Sequence, residues 1–328
     1  MPQKIGIPRT LGYYAYYPLW KTFFEELGLE VITSSPTSKT ILDAGVKEAV
    51  NDACIPIKIL HGHVIDLKGK VDYIFLPRLV SVRKFGTETF CPKFLGLPDM
   101  VRAAIADLPE IIDTRVDLAK GRFELFRLCC KLGERFGASL PRVIRAYWRA
   151  LMVYRQYQRL LRERYTPVEA IEILDGRQPE SQDSPKESLV FAVVGYPYAI
   201  YDNFLNVNLL KRLRGLGVRI LTAEMIPTRL LIREAKKLPK NLFWHFSNRA
   251  VQAAWYFLYR ERVDGIVHVT AFGCGPDAMV DRMIELEAKN NGHRPFLSLT
   301  IDEHTGEAGI QTRVEAFVDM LKLRRGVL

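Results

Sequence analysis

The chain has 328 residues, 48% hydrophobic and 26% charged, with 47 Lys and Arg against 37 Asp and Glu and a formal net charge of +10. That length can fill two compact cores. No apolar run reaches the roughly 20 residues of a bilayer-spanning helix, and Met1-Pro2-Gln3-Lys4 leads into a strand-like segment instead of a signal peptide, so a cytoplasmic protein with no membrane role is expected.

Lys4-Ile5-Gly6-Ile7-Pro8-Arg9 predicts a short buried strand ending in a turn. Residues 14–27 carry Leu19, Phe23, Phe24 and Leu27 at helical spacing with Gly28 as a stop, and Leu29-Glu30-Val31-Ile32-Thr33 reads as the second strand. This β-α-β unit predicts a parallel sheet. A loop at Ser35-Pro36-Thr37-Ser38 leads into a helix over 40–50. Cys54 follows in a loop, and Pro56 opens a helix through Leu60 and Ile65. Tyr73-Ile74-Phe75-Leu76-Pro77 is the third strand; residues 78–90, without a clear period, suit a functional loop ending at Cys91. Residues 92–106 are partly helical in pattern, and Glu110-Ile111-Ile112-Asp113-Thr114 is a fourth strand.

Composition changes after Val116. Residues 118–174 are rich in Arg, Leu, Phe and Tyr at helical spacing, broken at Gly137 and Pro141, which predicts two or three helices. Arg142, Arg145, Arg149, Arg155, Arg159, Arg162 and Arg164 make this stretch strongly basic, either as a solvated face or as a docking surface for an acidic partner. Residues 175–186 have linker chemistry.

A second α/β pattern then begins. Residues 188–194 form a strand ending at Gly195-Tyr196-Pro197, 203–216 an amphipathic helix stopped by Gly217, and 218–222 the next strand. Helices follow around 229–237 and 248–260. Strands at 265–270 and 295–301 alternate with helices at 276–290 and 312–323. The fold class is therefore α/β, with two flavodoxin- or Rossmann-like parallel-sheet domains (1–117 and 187–328), a helical segment and linker between them (118–186), and no sequence repeat that signals duplication.

Five cysteines, an odd number without the dense even spacing of a secreted disulfide scaffold, point to reduced thiols. Three share a context: Cys54 in Cys54-Ile55-Pro56, Cys91 in Cys91-Pro92, and Cys274 in Ala271-Phe272-Gly273-Cys274-Gly275-Pro276-Asp277. Cys274 ends a strand in the place where open α/β folds build sites. Cys129-Cys130 lacks that context. Thiolates suit iron-sulfur clusters, zinc or copper(I). There is no Cys-x-x-Cys and no ferredoxin-type run, so spacing alone leaves both a metal site and unrelated buried or loop cysteines open. The basic excess suits an acidic redox partner, a coenzyme A ester or nucleic acid; no nucleic-acid-binding signature accompanies it.

Ile5-Gly6-Ile7-Pro8-Arg9, Cys54-Ile55-Pro56-Ile57-Lys58, His61-Gly62-His63, Cys91-Pro92, Phe272-Gly273-Cys274-Gly275-Pro276-Asp277 and Ile301-Asp302-Glu303-His304-Thr305-Gly306, in that order, resemble the 2-hydroxyacyl-CoA dehydratase-related iron-sulfur proteins, in the acyl-CoA dehydratase-activase-related branch. The resemblance covers both α/β halves and says little of residues 120–186. It implies an oxygen-sensitive iron-sulfur protein of anaerobic metabolism, with a [4Fe-4S]-type cluster held by Cys54, Cys91 and Cys274 between two domains. It further implies a separate ATP-hydrolysing activase, with its own cluster, as electron donor, and a small molecule or acyl-CoA ester as substrate. No Gly-x-x-x-x-Gly-Lys-Ser/Thr loop occurs in the chain, so the nucleotide is expected on the partner. A non-catalytic electron carrier, a structural zinc site, and a homodimer that brings two sites together remain alternatives.

Several polar residues are candidates for the same site. His61 and His63 follow Cys54 on one helix and, two residues apart, cannot share a face, so at most one is expected to point inward. Arg9 and Arg78 each follow a strand directly, where α/β folds present ligand-binding groups; each is open to an anion-binding or cluster hydrogen-bonding role or to ordinary loop packing. Asp302, Glu303 and His304 can relay protons, or can cap the following turn and pair with Arg313. Asp277 favours the first turn of its helix. Glu88, the carboxylate nearest Cys91 in sequence, is a candidate fourth ligand.

Overall fold

Short apolar runs alternate with amphipathic segments through residues 4–117, and each becomes an element in turn: β1 (Lys4–Ile7), α1 (Tyr13–Glu26), β2 (Glu30–Thr33), α2 (Lys39–Glu48), α3 (Ile55–Leu67), β3 (Tyr73–Phe75), β4 (Arg78–Ser81), α4 (Pro92–Leu95), α5 (Leu97–Ala104), β5 (Glu110–Ile112) and β6 (Arg115–Asp117). The helices α6 (Glu124–Arg135) and α7 (Leu140–Arg162) follow. This is a computed structural model that describes residues 2–82, 88–121, 123–179, 189–238 and 240–326. The chain divides into two units, one of Met1–Arg159 with Phe243–His245, the other of Leu160–Leu242 with Phe246–Leu328.

In the first unit four parallel strands lie in the order β2-β1-β3-β5. The chain starts inside the sheet, runs outward to β2, then crosses back to β3, so the strand order reverses between β1 and β3. One side of β3 is covered by α1, whose Trp20 and Phe24 rings lie 4.9 and 5.0 Å from that of Phe75. Pro18 sits inside α1 and has no N–H for the carbonyl of Tyr14 one turn back. That orphaned carbonyl accepts instead from the hydroxyl of buried Tyr157 on α7, at 2.5 Å. Elsewhere α2 and α3 cross in direct backbone contact. A methyl group on Gly45 would lie 1.9 Å from the carbonyl oxygen of Lys58, and one on Gly62 1.9 Å from that of Ile41. Only glycine permits this approach.

The segment after β3, expected to be a loop, contributes a strand of its own. β4 pairs in parallel with β6, and the amide of Phe90 returns to the carbonyl of Val80 at 3.1 Å; residues 83–87 of that loop lie outside the described residues. The basic stretch forms α6, α7 and then α8 (Pro167–Leu174). Arg142 donates to the carbonyl of Glu26 at the end of α1, and Arg145 and Arg149 lie 3.4 and 3.5 Å from the Glu26 carboxylate. Part of the basic face is thus fastened to α1.

The second unit continues with β7 (Leu189–Gly195), α9 (Pro197–Ile200), α10 (Leu209–Gly215), β8 (Val218–Thr222), α11 (Thr228–Ala235), α12 (His245–Tyr259), β9 (Gly265–Ala271), α13 (Gly275–Asn290), β10 (Phe296–Ile301) and α14 (Glu307–Arg325). Its four strands are parallel in the order β10-β9-β7-β8. All of β9 and nearly all of β7 are buried, as befits central strands covered on both faces. Numbered within the unit, the path is again second, first, third, fourth, so the two units share a topology that no sequence repeat reveals.

One helix is shorter than its pattern predicts. Residues 203–208 are turns, and α10 begins only at Leu209. The Asp202 carboxylate accepts from the amides of Phe204 and Leu205, Asn206 accepts from that of Leu209, and Val207 and Asn208 take left-handed φ of 56° and 57°. These side-chain bonds compete with the helical ones. The last helix begins earlier than expected, at Glu307, because Ile310 joins Val314, Phe317, Val318 and Leu321 on its buried face.

Candidate functional site

The three cysteines with a following proline occupy the same local position. Cys54, Cys91 and Cys274 are the N-cap residues of α3, α4 and α13, each with proline in the first or second helical position. The proline fixes the helix start, and each cysteine carbonyl takes an early helical bond: from Ile57 at 2.9 Å, from Phe94 at 2.9 Å and from Ala278 at 3.0 Å. In the first unit Cys54 and Cys91 lie close enough for their charges to interact. Burial pushes the Cys54 thiol above its ordinary range and the Cys91 charge adds to that, whereas the Lys93 ammonium and the Ile57 amide pull the other way. All five cysteines are free thiols. Cys129 is a different case: burial within α6 pushes it up to about 12, a packing residue with an inert thiol.

Among the described residues no three His, Cys, Asp or Glu side chains are gathered as a metal-binding group. Cys54 and Cys91 belong to the first unit and Cys274 to the second. In donor chemistry, free thiols at loop-to-helix turns suit a soft metal centre.

Both histidines of α3 point inward, contrary to the expectation that at most one does. His61 is 1% exposed and His63 is fully buried, because α3 is covered on nearly every side. His61 donates Nδ1–H to the carbonyl of Ile57 at 2.8 Å. Nδ1 of His63 meets the Ser34 hydroxyl at 2.8 Å and Nε2 meets that of Thr37 at 3.0 Å, while Ser34 also accepts from the Arg9 amide at 2.8 Å. Burial drives His63 down to about 4, with Asp66 opposing and Arg9 reinforcing the shift, so it is neutral at pH 7.

The two arginines differ. Arg78 forms a two-pronged pair with Asp99 at 2.5 and 2.6 Å, reaches Asp113 at 2.8 Å and donates to the Leu95 carbonyl at 3.1 Å. The hydrogen bonds to Asp99 and then Asp113 hold it firmly charged, and its fork is engaged in fastening β4 to α4 and α5. Arg9 is half-buried, its guanidinium 5.8 Å from the centroid of the Tyr13 ring. Glu88 meets Nδ1 of His245 at 3.2 Å. That histidine belongs to Phe243–His245, three residues that join the first unit by a parallel bridge between Thr89 and Trp244. The bridge steadies the chain just before Cys91; sequence gave no sign of it.

The second unit holds a set that sequence reasoning missed. His268, on β9, is fully buried, with Nε2 3.3 Å from Asp277 and Nδ1 2.7 Å from Asp281. Burial opposes its charge, but Asp277 and Asp281 together outweigh it and raise the imidazole to about 9. Asp277, expected only to favour the first turn of its helix, is itself fully buried and also meets the Ala271 amide at 3.4 Å. A histidine in an apolar strand with Asp at positions 277 and 281, one turn apart on the next helix, is the signal that could have found it. After β10, Asp302 accepts from the His304 amide at 2.9 Å and the Thr305 hydroxyl at 2.9 Å, the turn-capping role. Glu303 is half-buried and His304 exposed. Arg313 donates to the Ser298 carbonyl.

Two parallel α/β units, with a cysteine at the N-cap position of three of their helices, define an α/β protein of Rossmann- or flavodoxin-like domains. Residues 4–226 match the family model described as CoA enzyme activase uncharacterised domain, and residues 219–321 match that of the 2-hydroxyglutaryl-CoA dehydratase D-component. The first match spans more than half of the chain, and the protein belongs to this 2-hydroxyacyl-CoA dehydratase-related family. No curated protein matches it. Cys54 and Cys91 fall in the first matched region, Cys274 with His268, Asp277 and Asp281 in the second.

Proposed function

We propose that the chain is an iron-sulfur protein of anaerobic metabolism in which Cys54, Cys91 and Cys274 hold one [4Fe-4S]-type cluster. It takes low-potential electrons from a separate ATP-hydrolysing activase and reduces or dehydrates a small substrate. The observation that supports this most is the recurrence of one local arrangement, a cysteine N-cap followed by proline, at three positions spread over both family-matched regions. Bound by three thiolates, such a cluster offers an iron with a non-cysteine ligand, which is what Lewis-acid or inner-sphere redox chemistry needs. The chain's own contribution is to hold the thiols at fixed helix starts, with Lys93 beside Cys54 to favour the thiolate.

Anaerobic purification with iron and sulfide analysis and EPR tests this reading. Brown protein with stoichiometric iron and sulfide is expected, with the signal lost or altered in Cys54→Ala, Cys91→Ala and Cys274→Ala and unchanged in Cys129→Ala and Cys130→Ala. Colourless, iron-free anaerobic protein, or bleaching by the Cys129 or Cys130 change, contradicts it.

A further inference from the structure

Helix α7 carries a row of large apolar side chains on its outer side. Leu140, Ile144, Trp148 and Met152, each four residues from the next, are between 38 and 58% exposed. The buried side of the same stretch is made by Val143, Ala146 and Ala150, so the row is not part of the core. A helix with one buried face ordinarily turns polar side chains to water. Here the outer positions are apolar instead. Trp148 is steadied by its neighbours: the centroid of its ring lies 5.6 Å from that of Tyr147, which in turn meets Phe126 of α6 at 5.2 Å.

Arginines border the row. Residues 140–159 hold five of them and no Asp or Glu. Arg145 and Arg149 stand three residues before Trp148 and Met152, neighbours on the helix surface, and share the single carboxylate of Glu26. Arg155 stands three residues beyond Met152 and is exposed, with no carboxylate on it among the described residues. An excess of positive charge thus lies beside an apolar ridge.

We infer that this face of α7 docks a helix of an acidic partner protein, with Trp148 as the anchor and the partner's carboxylates on the bordering arginines. Geometry and charge choose the occupant. A row at four-residue spacing is the ridge that packs into the groove of a second helix. It also winds: at 3.6 residues per turn each step moves it by roughly 40° about the axis, and about 120° from Leu140 to Met152, so a flat membrane surface meets only part of it. A second copy of this chain laid face to face would set arginine against arginine, because residues 140–159 offer no carboxylate in return. Tryptophan and arginine are also the side chains that dominate binding energy at protein interfaces. The inference uses no cysteine and does not depend on the cluster.

Fluorescence anisotropy of a labelled helical peptide, titrated with the full chain purified anaerobically, tests it. The peptide has about 18 residues, long enough to hold a helix, with leucine in a row at four-residue spacing and glutamate beside it; its twin carries lysine in place of glutamate. Saturable binding of the glutamate peptide is expected, at least tenfold tighter than that of the lysine peptide and weakened by added salt. Trp148→Ser and Arg155→Glu should each weaken it at least fivefold, while Val50→Ser, which alters an apolar side chain exposed elsewhere in the unit, should leave it unchanged. Should Trp148→Ser fail to fold, Arg155→Glu decides. Absence of saturable binding overturns the inference, as does equal binding of the lysine peptide, an affinity unchanged in Trp148→Ser or Arg155→Glu, or a loss as large in Val50→Ser. Sedimentation of the chain with phosphatidylglycerol vesicles, or a concentration-dependent dimer in light scattering, also overturns it if Trp148→Ser abolishes either one.

Discussion

The two units follow the same strand path, yet their reversal points are opposites. In the first, residues 8–12 after β1 leave a cavity lined by rings, and the unit also holds a neutral buried histidine, His63. In the second, β7 and β9 are paired closely up to their carboxyl ends. Gly195 has a φ of 145°, and a methyl group on it would lie 2.5 Å from the Val269 carbonyl oxygen. The rings of Tyr196, Tyr198 and Phe246 pack together just beyond, and the Tyr196 hydroxyl bonds Ser247 at 2.6 Å. The buried histidine of this unit, His268, is charged. Topology decides where loops gather. Side chains decide whether the place is open or sealed.

The contrast can be broken from either side. The largest effect is expected in the second unit. Asp277→Ala removes one of two carboxylates from a fully buried imidazolium, and breaking such a pair costs about 3–5 kcal/mol. Hydrogen exchange should show the loss in residues 189–326, with the first unit spared. Next comes Gly62→Ala in the first unit, where the added methyl must part α2 from α3. A loss of about 1–3 kcal/mol is expected, with exchange increased in 39–67, and a normal exchange pattern there would refute the close crossing.

The histidines should give the units opposite pH responses. His268 has a folded value of about 9 against 6.5 unfolded, so its contribution is fully present below pH 6.5 and is lost as pH rises through 9. His63 has a folded value of about 4, so the unfolded chain takes up the proton first and the first unit weakens as pH falls from 6.5 towards 4. Exchange measured at pH 5, 6.5 and 9 should therefore loosen the first unit at the acid end and the second at the alkaline end; a common response in both would remove the distinction. The smallest effect concerns Cys54: Lys93→Gln should slow its alkylation by iodoacetamide in cluster-free protein, since the cation that favours its thiolate is gone.

How much of this was legible beforehand follows the range of the interactions. The helix starts at Cys54, Cys91 and Cys274 could be read directly, because a proline one or two residues on fixes the backbone locally. Alternation of apolar runs with amphipathic segments likewise implied parallel sheets, since crossover connections need helices of about that length. The burial of both His61 and His63 was not legible, because periodicity describes one covered face and α3 is covered on nearly all of them. The fate of Arg78 was equally hidden, its carboxylates being 21 and 35 residues away.

The sequence by itself determined the class of fold, the places where helices begin, and which three cysteines share a context, all of which depend on neighbours within a turn or two. Only the tertiary structure decided that Cys54 and Cys91 come within range of each other's charge, that His245 returns across 157 residues to Glu88, that Arg78 is fastened by two carboxylates, and that one buried histidine is neutral and the other charged. Those outcomes depend on desolvation and on charges brought together by the folded chain, and neither is a property of any local stretch.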